Sequence, residues 1–356
     1  MSAPRRQPAH VLLEVLLGCS SALGVACERL PTEPARSRDG AVRAMTFAAW
    51  SADGYASESA AAELSGVAGL GATSIWILIT ATQGDRHASS LGASGLTPSL
   101  ESVRVAATRA RSLGLDVVLK VHVDLADGTW RGHIEPDDPT AWFQSYRDFL
   151  LPWVDLAVEL GSSHFVVGTE LAGTVRHETL WRETIAAVRA RYAGTLVYAA
   201  SWDEASRVPF WDAFDRVGVD AYFPVAVRAE AGRAELLAGW QPWLDRLERL
   251  HRQTHRPVLL TEIGYPSIDG AGMTPYRVPA GRIDLGEQAD LYWAALQATG
   301  ENEWIVGLVW WNWLAGGGGG PGDRDYTPAG KPAAQELASA WLPMVMPAAS
   351  RTGQAR

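Results

Sequence analysis

The sequence is poor in cysteine and in positive charge, and it lacks the short signatures of several common chemistries. Its two cysteines, Cys19 and Cys27, both fall near the N-terminus. The rest of the chain therefore forms no internal disulfide and offers no cysteine-based metal site. Lys and Arg total 31 against 40 Asp and Glu, a formal net charge of −9. That balance argues against a nucleic-acid partner, which needs clustered cations for the phosphates. No Gly-rich phosphate loop follows the first apolar run, no HExxH occurs among the scattered histidines, and no GxSxG elbow is present. Dinucleotide binding, zinc hydrolysis and serine hydrolysis lose their usual supports, and nothing calls for a metal or a cofactor. Beyond the N-terminal segment, no stretch approaches the ~18 continuous apolar residues of a membrane-spanning helix.

The N-terminal segment has a different character. It carries Arg5 and Arg6, then an apolar run, then small residues before a Cys, which is the layout of an export signal. "LLGC" (16 to 19) and "GVAC" (24 to 27) both resemble a bacterial lipobox, in which the Cys is acylated after cleavage. Residues 1–43 are therefore expected to be an export leader and linker, with Cys19 or Cys27 as the point of membrane attachment of an exported lipoprotein or secreted protein.

What the chain has in quantity is tryptophan, 16 residues, and a regular rhythm of short apolar runs. The runs fall at 45–50, 74–80, 116–123, 164–170, 195–201, 216–223, 257–263 and 304–311. Each is rich in Val, Ile, Leu and aromatics without clean polar alternation, as expected of strands covered on both faces. Helical periodicity appears between them at 57–71, 99–114, 138–161, 178–191, 234–253, 286–299 and 333–341, bounded by Ser, Asp-Pro and Gly signals. Pro152 is expected to kink the third helix. Eight strands interleaved with helices over about 300 residues predict a single α/β (β/α)8 barrel. The barrel is expected over 44–342 and a disordered tail over 343–356.

Two of the strands end on a glutamate: "HFVVGTELAG" (164–173) on Glu170 and "PVLLTEIGYPS" (257–267) on Glu262. In such a barrel the site is built at the C-terminal ends of the strands. The fourth and seventh strands lie three apart around the ring, so the two side chains can face each other across the mouth. A lone strand-end Glu is ordinarily a salt-bridge partner or a cap. A facing pair, set among aromatics, is what glycoside hydrolysis requires, one carboxylic acid for the leaving oxygen and one carboxylate to attack or to activate water.

The motifs "VVGTEL", "YAASWDEA", "VGVDAYFP", "LLTEIGYPSIDGA", "WWNW", "LKVHVDLADGTWRG" and "AWFQSYRDFL" resemble glycoside hydrolase family 113, a β-1,4-mannanase family of the clan A barrels. The resemblance spans Met45 to about Trp341. It implies that Glu170 is the acid/base and Glu262 the nucleophile of a retaining mechanism. The sequence departs from the wider clan at Thr169, where an Asn usually holds the sugar 2-hydroxyl, so the contact to that hydroxyl is open.

Tyr222, beside the seventh strand, is placed to hydrogen-bond and orient Glu262. His122 is a candidate for a substrate hydroxyl or for a structural role, and Lys120 is expected to pair with Asp220 in the mouth. Trp310 and Trp311 end the eighth strand, where related barrels carry the platform beneath the cleaved sugar, and strand alternation allows only one of them to face inward. Trp50, Trp130 and Trp202 are candidates for further sugar subsites, whereas Trp76, Trp142, Trp153 and Trp293 read as core. The reading is an endo-β-1,4-mannanase on a β-linked polysaccharide or oligosaccharide. Its rivals are hydrolysis of, or transfer from, another β-linked glycan, separable by a substrate panel, and a non-catalytic carbohydrate-binding lipoprotein, separable by binding without cleavage.

Overall fold

The computed structural model describes residues 30–32, 34–277 and 281–343. The expected leader residues 1–29, with Cys19 and Cys27, and the expected tail beyond 343 lie outside the described residues. The eight strands are β1 (Val42–Ala48), β2 (Ser74–Gln83), β3 (Asp116–Leu125), β4 (His164–Thr169), β5 (Thr195–Ser201), β6 (Arg216–Asp220), β7 (Val258–Ile263) and β8 (Ile305–Leu314). They close into a parallel barrel in sequence order, β8 returning to β1. The fold is thus the (β/α)8 barrel that the apolar rhythm implied.

Among the described residues seven α-helices surround it: α1 (Glu58–Gly69), α2 (Leu100–Ser112), α3 (Pro139–Glu159), α4 (Glu178–Arg189), α5 (Arg233–Thr254), α6 (Leu285–Gly300) and α7 (Pro332–Trp341). Their starts follow the local chemistry. Ser57, Ser99, Asp138 and Asp284 each accept a hydrogen bond from the backbone N–H three residues on, satisfying one of the unpaired donors at a helix start. Pro139 occupies the first turn of α3, where its missing N–H costs nothing, and the helix continues through Pro152.

Two separate apolar clusters explain why the strands read as unbroken hydrophobic runs. Inside the barrel, Ala44, Trp76, Val118, Val166, Val197, Ala199, Leu259 and Val309 pack together, with Val42 and Val306 against them. The alternate strand residues point outward and merge with the inner faces of the helices, including Trp142, Trp153 and Trp293, which are buried as expected. Seven of the eight strands thus contribute apolar residues to both clusters, and β6 only to the outer one.

Between β5 and β6 there is no α-helix among the described residues. Only two 3-10 turns, Ala205–Arg207 and Trp211–Ala213, make the crossing. Phe210, Trp211 and Phe214 fill the vacant place and pack on Tyr198 at centroid distances of 6.1, 6.0 and 6.1 Å. Three strands end earlier than the apolar runs suggest, β1 at Ala48 among them. β4 stops at Thr169 because Glu170 turns into the left-handed region, and β6 stops at Asp220. Register shifts interrupt β1/β8, β4/β5, β6/β7 and β7/β8, and the one between Val219 and Asp220 lies at the C-terminal rim, where bulges commonly re-aim side chains toward a site.

Candidate active site

The strand ends surround a cavity of about 510 Å³ that contains both glutamates. Glu262 belongs to β7, and the register shift between Val219 and Asp220 sets it opposite Asp220 of β6. Glu170 follows β4 with φ +52°, a conformation that costs a non-Gly residue about 1–3 kcal/mol and recurs at functional sites. The side chain of Glu170 is 11 % exposed and that of Glu262 4 %, so both work in a largely dry environment.

Glu262 is held by three side chains. Lys120 Nζ on β3 donates to Oε1 at 2.6 Å, His122 Nε2 meets the same oxygen at 3.1 Å, and Tyr222 Oη donates to Oε2 at 2.6 Å. Burial pushes this carboxyl up, but the Lys120 ammonium and the His122 hydrogen bond outweigh it and hold it well below the usual carboxylate range. His122 itself is driven down to about 4, first by burial and then by the nearby Arg131 charge. It is neutral near pH 7, and because a carboxylate only accepts, Nε2 is the nitrogen that carries its proton.

Glu170 has the opposite environment. Trp130 Nε1 at 3.1 Å and Arg131 at 3.2 Å both donate to its Oε2. Arg131 is shared: its other terminal nitrogen donates to Asp124 at 2.5 Å. Burial pushes the Glu170 carboxyl up, Arg131 opposes it, the negative Glu262 reinforces it, and the net direction is upward. The two glutamates thus face one cavity with their proton affinities driven apart, the arrangement expected of an acid and a nucleophile or base.

Below this pair Lys120 also reaches the Thr261 carbonyl at 3.0 Å and Asp220 Oδ1 at 3.4 Å. The expected Lys120–Asp220 pair exists, and the shorter contact is to Glu262. Lys120 and Lys331 are the only lysines in the chain, and both are buried.

The aromatic expectations divide. Trp130, Trp202 and Trp311 line the cavity, together with His122 and Tyr222. Trp311 stacks on His122 with centroids 5.6 Å apart and planes within 5°, so it is the inward member of the β8 pair. Trp310 is a correction. It is fully buried in the outer layer, stacked on Tyr292 of α6 at 4.0 Å, because alternation along β8 sends it away from the mouth. Trp50 is a second correction. It lies beyond β1, 41 % exposed, and does not line the cavity.

Thr169 also lies off the cavity. Its side chain is fully buried and its hydroxyl has no hydrogen-bond partner. The wall instead offers Arg131, Ser201, Asp203 and Arg277, with Ser201 Oγ donating to Asp203 Oδ1 at 2.8 Å. Arg131, Tyr276, Arg277 and Tyr326 escaped the sequence reading. They sit on connections after β3, β7 and β8, where no periodicity marks them. Tyr326 Oη donates to the Pro275 carbonyl at 2.8 Å and so ties two of these connections together.

One acidic group can be considered for a metal. Asp269, Asp284 and Glu287 approach one another between β7 and α6. Glu287 already accepts from the backbone of Gly270 and Gly272, Asp284 caps α6, and Arg282 lies beside both aspartates. Their charges serve that connection, and they lie apart from the residues that line the cavity.

The family model for Glycoside Hydrolase Family 113 matches residues 45–331. A β-1,4-mannanase of that family, solved as a complex, superposes with a TM-score of 0.79 at 27% identity, covering 85% of this chain and 98% of the other. The family 113 β-mannanase of Alicyclobacillus acidocaldarius, solved with ManMIm, gives a TM-score of 0.79 at 28% identity, covering 85% and 97%. A fungal β-1,4-galactanase shares the fold alone, with a TM-score of 0.54 at 14% identity, covering 83% of this chain and 98% of the other. No curated protein sequence matches the chain.

Proposed function

The chain belongs to glycoside hydrolase family 113, and from that membership we propose that it cleaves β-1,4-linked mannan or manno-oligosaccharides, as an endo-acting enzyme, by double displacement with retention. The observation that carries the mechanism is the split between the two glutamates that line one cavity, one driven toward its acid form and one toward its carboxylate.

In this reading Glu170 donates its proton to the glycosidic oxygen while Glu262 attacks the anomeric carbon. Both protein donors to Glu170 meet Oε2, which leaves Oε1 to carry the transferred proton. The leaving sugar departs with that proton, and the remaining sugar is bonded to Glu262. Glu170, now a carboxylate, takes a proton from water as the water attacks the same carbon, and Glu262 is released. Tyr222 and His122 fix the two oxygens of Glu262 so that one lobe faces the sugar. Trp311 is the platform beneath the cleaved residue, and Trp130 and Trp202 bound its neighbours. The 2-hydroxyl contact, vacated by Thr169, falls to a polar group of the wall such as Arg131.

Proton NMR of freshly hydrolysed mannotetraose tests the scheme. The first anomer to accumulate should be β. An α product released first would exclude double displacement, and cleavage of glucan or xylan in preference to mannan would exclude the substrate assignment.

The N-terminal segment supports a second proposal, export followed by acylation at Cys19 or Cys27, motivated by Arg5, Arg6 and the apolar run before small residues. Mass spectrometry of the mature N-terminus from a bacterial host should find a diacylglyceryl Cys. An unprocessed Met1 in the cytosolic fraction would rule it out.

A further inference from the structure

Glu170 keeps a backbone conformation that its side chain disfavours, φ +52°, and something must hold it there. The peptides on both sides of its Cα are tied to β5. Its own N–H donates to the Ala199 carbonyl at 2.7 Å. The next N–H, that of Leu171, donates to the hydroxyl of Tyr198 at 3.0 Å. With both flanking peptide planes anchored, φ and ψ of Glu170 are set, and so is the direction in which its Cα–Cβ bond leaves the chain.

The Tyr198 hydroxyl can accept that bond only if its own proton points elsewhere. Glu204 supplies the direction: its Oε1 accepts a hydrogen bond from the Tyr198 hydroxyl at 2.6 Å, while its Oε2 accepts from Ser201 N–H at 3.1 Å. Tyr198 and Glu204 are fully buried, and neither lines the cavity. The ring of Tyr198 is gripped by Trp181 and by the aromatics that replace a helix between β5 and β6. There is no slack beside it. A methyl group added at Gly168 would lie 2.8 Å from Trp181 and 3.2 Å from the Tyr198 ring.

We propose that Tyr198, with its hydroxyl oriented by Glu204, is a positioning residue for the general acid. By accepting the Leu171 N–H it holds Glu170 in the left-handed turn that aims its carboxyl at the leaving oxygen. The inference rests on Glu170 being the acid/base. It adds a two-residue support that touches neither substrate nor the reacting atoms.

The test uses the leaving-group dependence of general acid catalysis, which a merely structural defect does not change. Tyr198→Phe removes the acceptor and keeps the ring. Two kcat/KM values are measured on the same enzyme sample, one for mannotriose and one for 2,4-dinitrophenyl β-mannobioside, whose leaving group needs no proton. Their ratio cancels any loss of correctly folded enzyme. Tyr198→Phe should lose roughly tenfold or more on mannotriose and less than about threefold on the activated substrate, a fraction of the 10²–10⁴ that general acid catalysis supplies. Equal losses on the two substrates, or no loss on either, would overturn the proposal. Glu170→Ala run in parallel separates the two levels. If Glu170→Ala shows the split and Tyr198→Phe does not, the positioning role falls alone. If Glu170→Ala shows no split, the acid assignment falls and the positioning role falls with it.

Discussion

The ammonium of Lys120 lies 2.6 Å from Oε1 of Glu262, and neither side chain is more than 4 % exposed. A cation this close in a dry barrel mouth is the strongest single influence keeping the Glu262 carboxylate ionised. Asp220 shares the same ammonium only at 3.4 Å, and burial pushes its carboxyl well up despite Lys120. The charge of Lys120 is therefore directed mainly at Glu262.

Removing that charge should raise the proton affinity of Glu262. Its carboxyl is held low in the folded protein, so it adds stability above the ordinary carboxylate pKa, and that stability is lost as pH falls below it. In Lys120→Met the advantage disappears and the buried Glu262 carboxylate loses its cation, a change that costs about 3–5 kcal/mol where a buried pair is broken. The acidic limb of the kcat/KM profile should move to higher pH by at least about one unit, and the melting temperature at pH 7 should fall. An unshifted limb would show that Lys120 does not set the ionisation of Glu262.

Glu262→Gln keeps the shape of the side chain and removes the nucleophile. Hydrolysis of mannan should fall by roughly 10⁴-fold or more, as expected when the group that forms the covalent intermediate is lost, while far-ultraviolet circular dichroism stays unchanged. Wild-type turnover in this variant would refute the assignment of the nucleophile.

Adjacent tryptophans on β8 should give opposite phenotypes. Trp311→Ala removes a wall of the cavity, so KM for manno-oligosaccharides should rise roughly tenfold, equivalent to about 1.4 kcal/mol of binding, with a small change in melting temperature. Trp310→Ala empties a fully buried site on α6 and should cost about 3–5 kcal/mol of stability. Chemical denaturation and steady-state kinetics on both variants distinguish them. Reversed results would mean that the alternation along β8 has been read the wrong way round.

His122 should make the protein sensitive to mild acid. Its folded pKa, about 4, lies below the ordinary histidine value of 6.5. The unfolded chain then binds more protons between those two values, so this contribution is complete above pH 6.5 and is lost as pH falls toward 4. The loss amounts to about 3 kcal/mol in all. The gap in melting temperature between pH 7 and pH 4 should be smaller in His122→Gln than in the wild type. An identical gap would place the acid sensitivity elsewhere.

The support of Glu170 by Tyr198 and Glu204 was not legible in the sequence, although "YAASWDEA" contains both residues. Nothing in a strand pattern says that a hydroxyl on β5 will meet the N–H that follows β4. Arg131 was missed for a related reason. It lies in a connection without periodicity, and its value comes from reaching Asp124 and Glu170 at the same time.

The sequence by itself determined the ring. Eight runs apolar on both faces, separated by capped amphipathic segments, have few ways to bury their surface other than a closed parallel barrel, and strand-end placement then put Glu170 and Glu262 at one rim. Only the tertiary structure decided which side chains meet there. It turned Trp311 inward and Trp310 outward, left Trp50 outside, and gave Lys120 to Glu262 more closely than to Asp220. Local propensity and burial act along the chain and can be read from it. The distances that set a carboxyl's charge are between strands, and they depend on register shifts and loop paths that no single segment encodes.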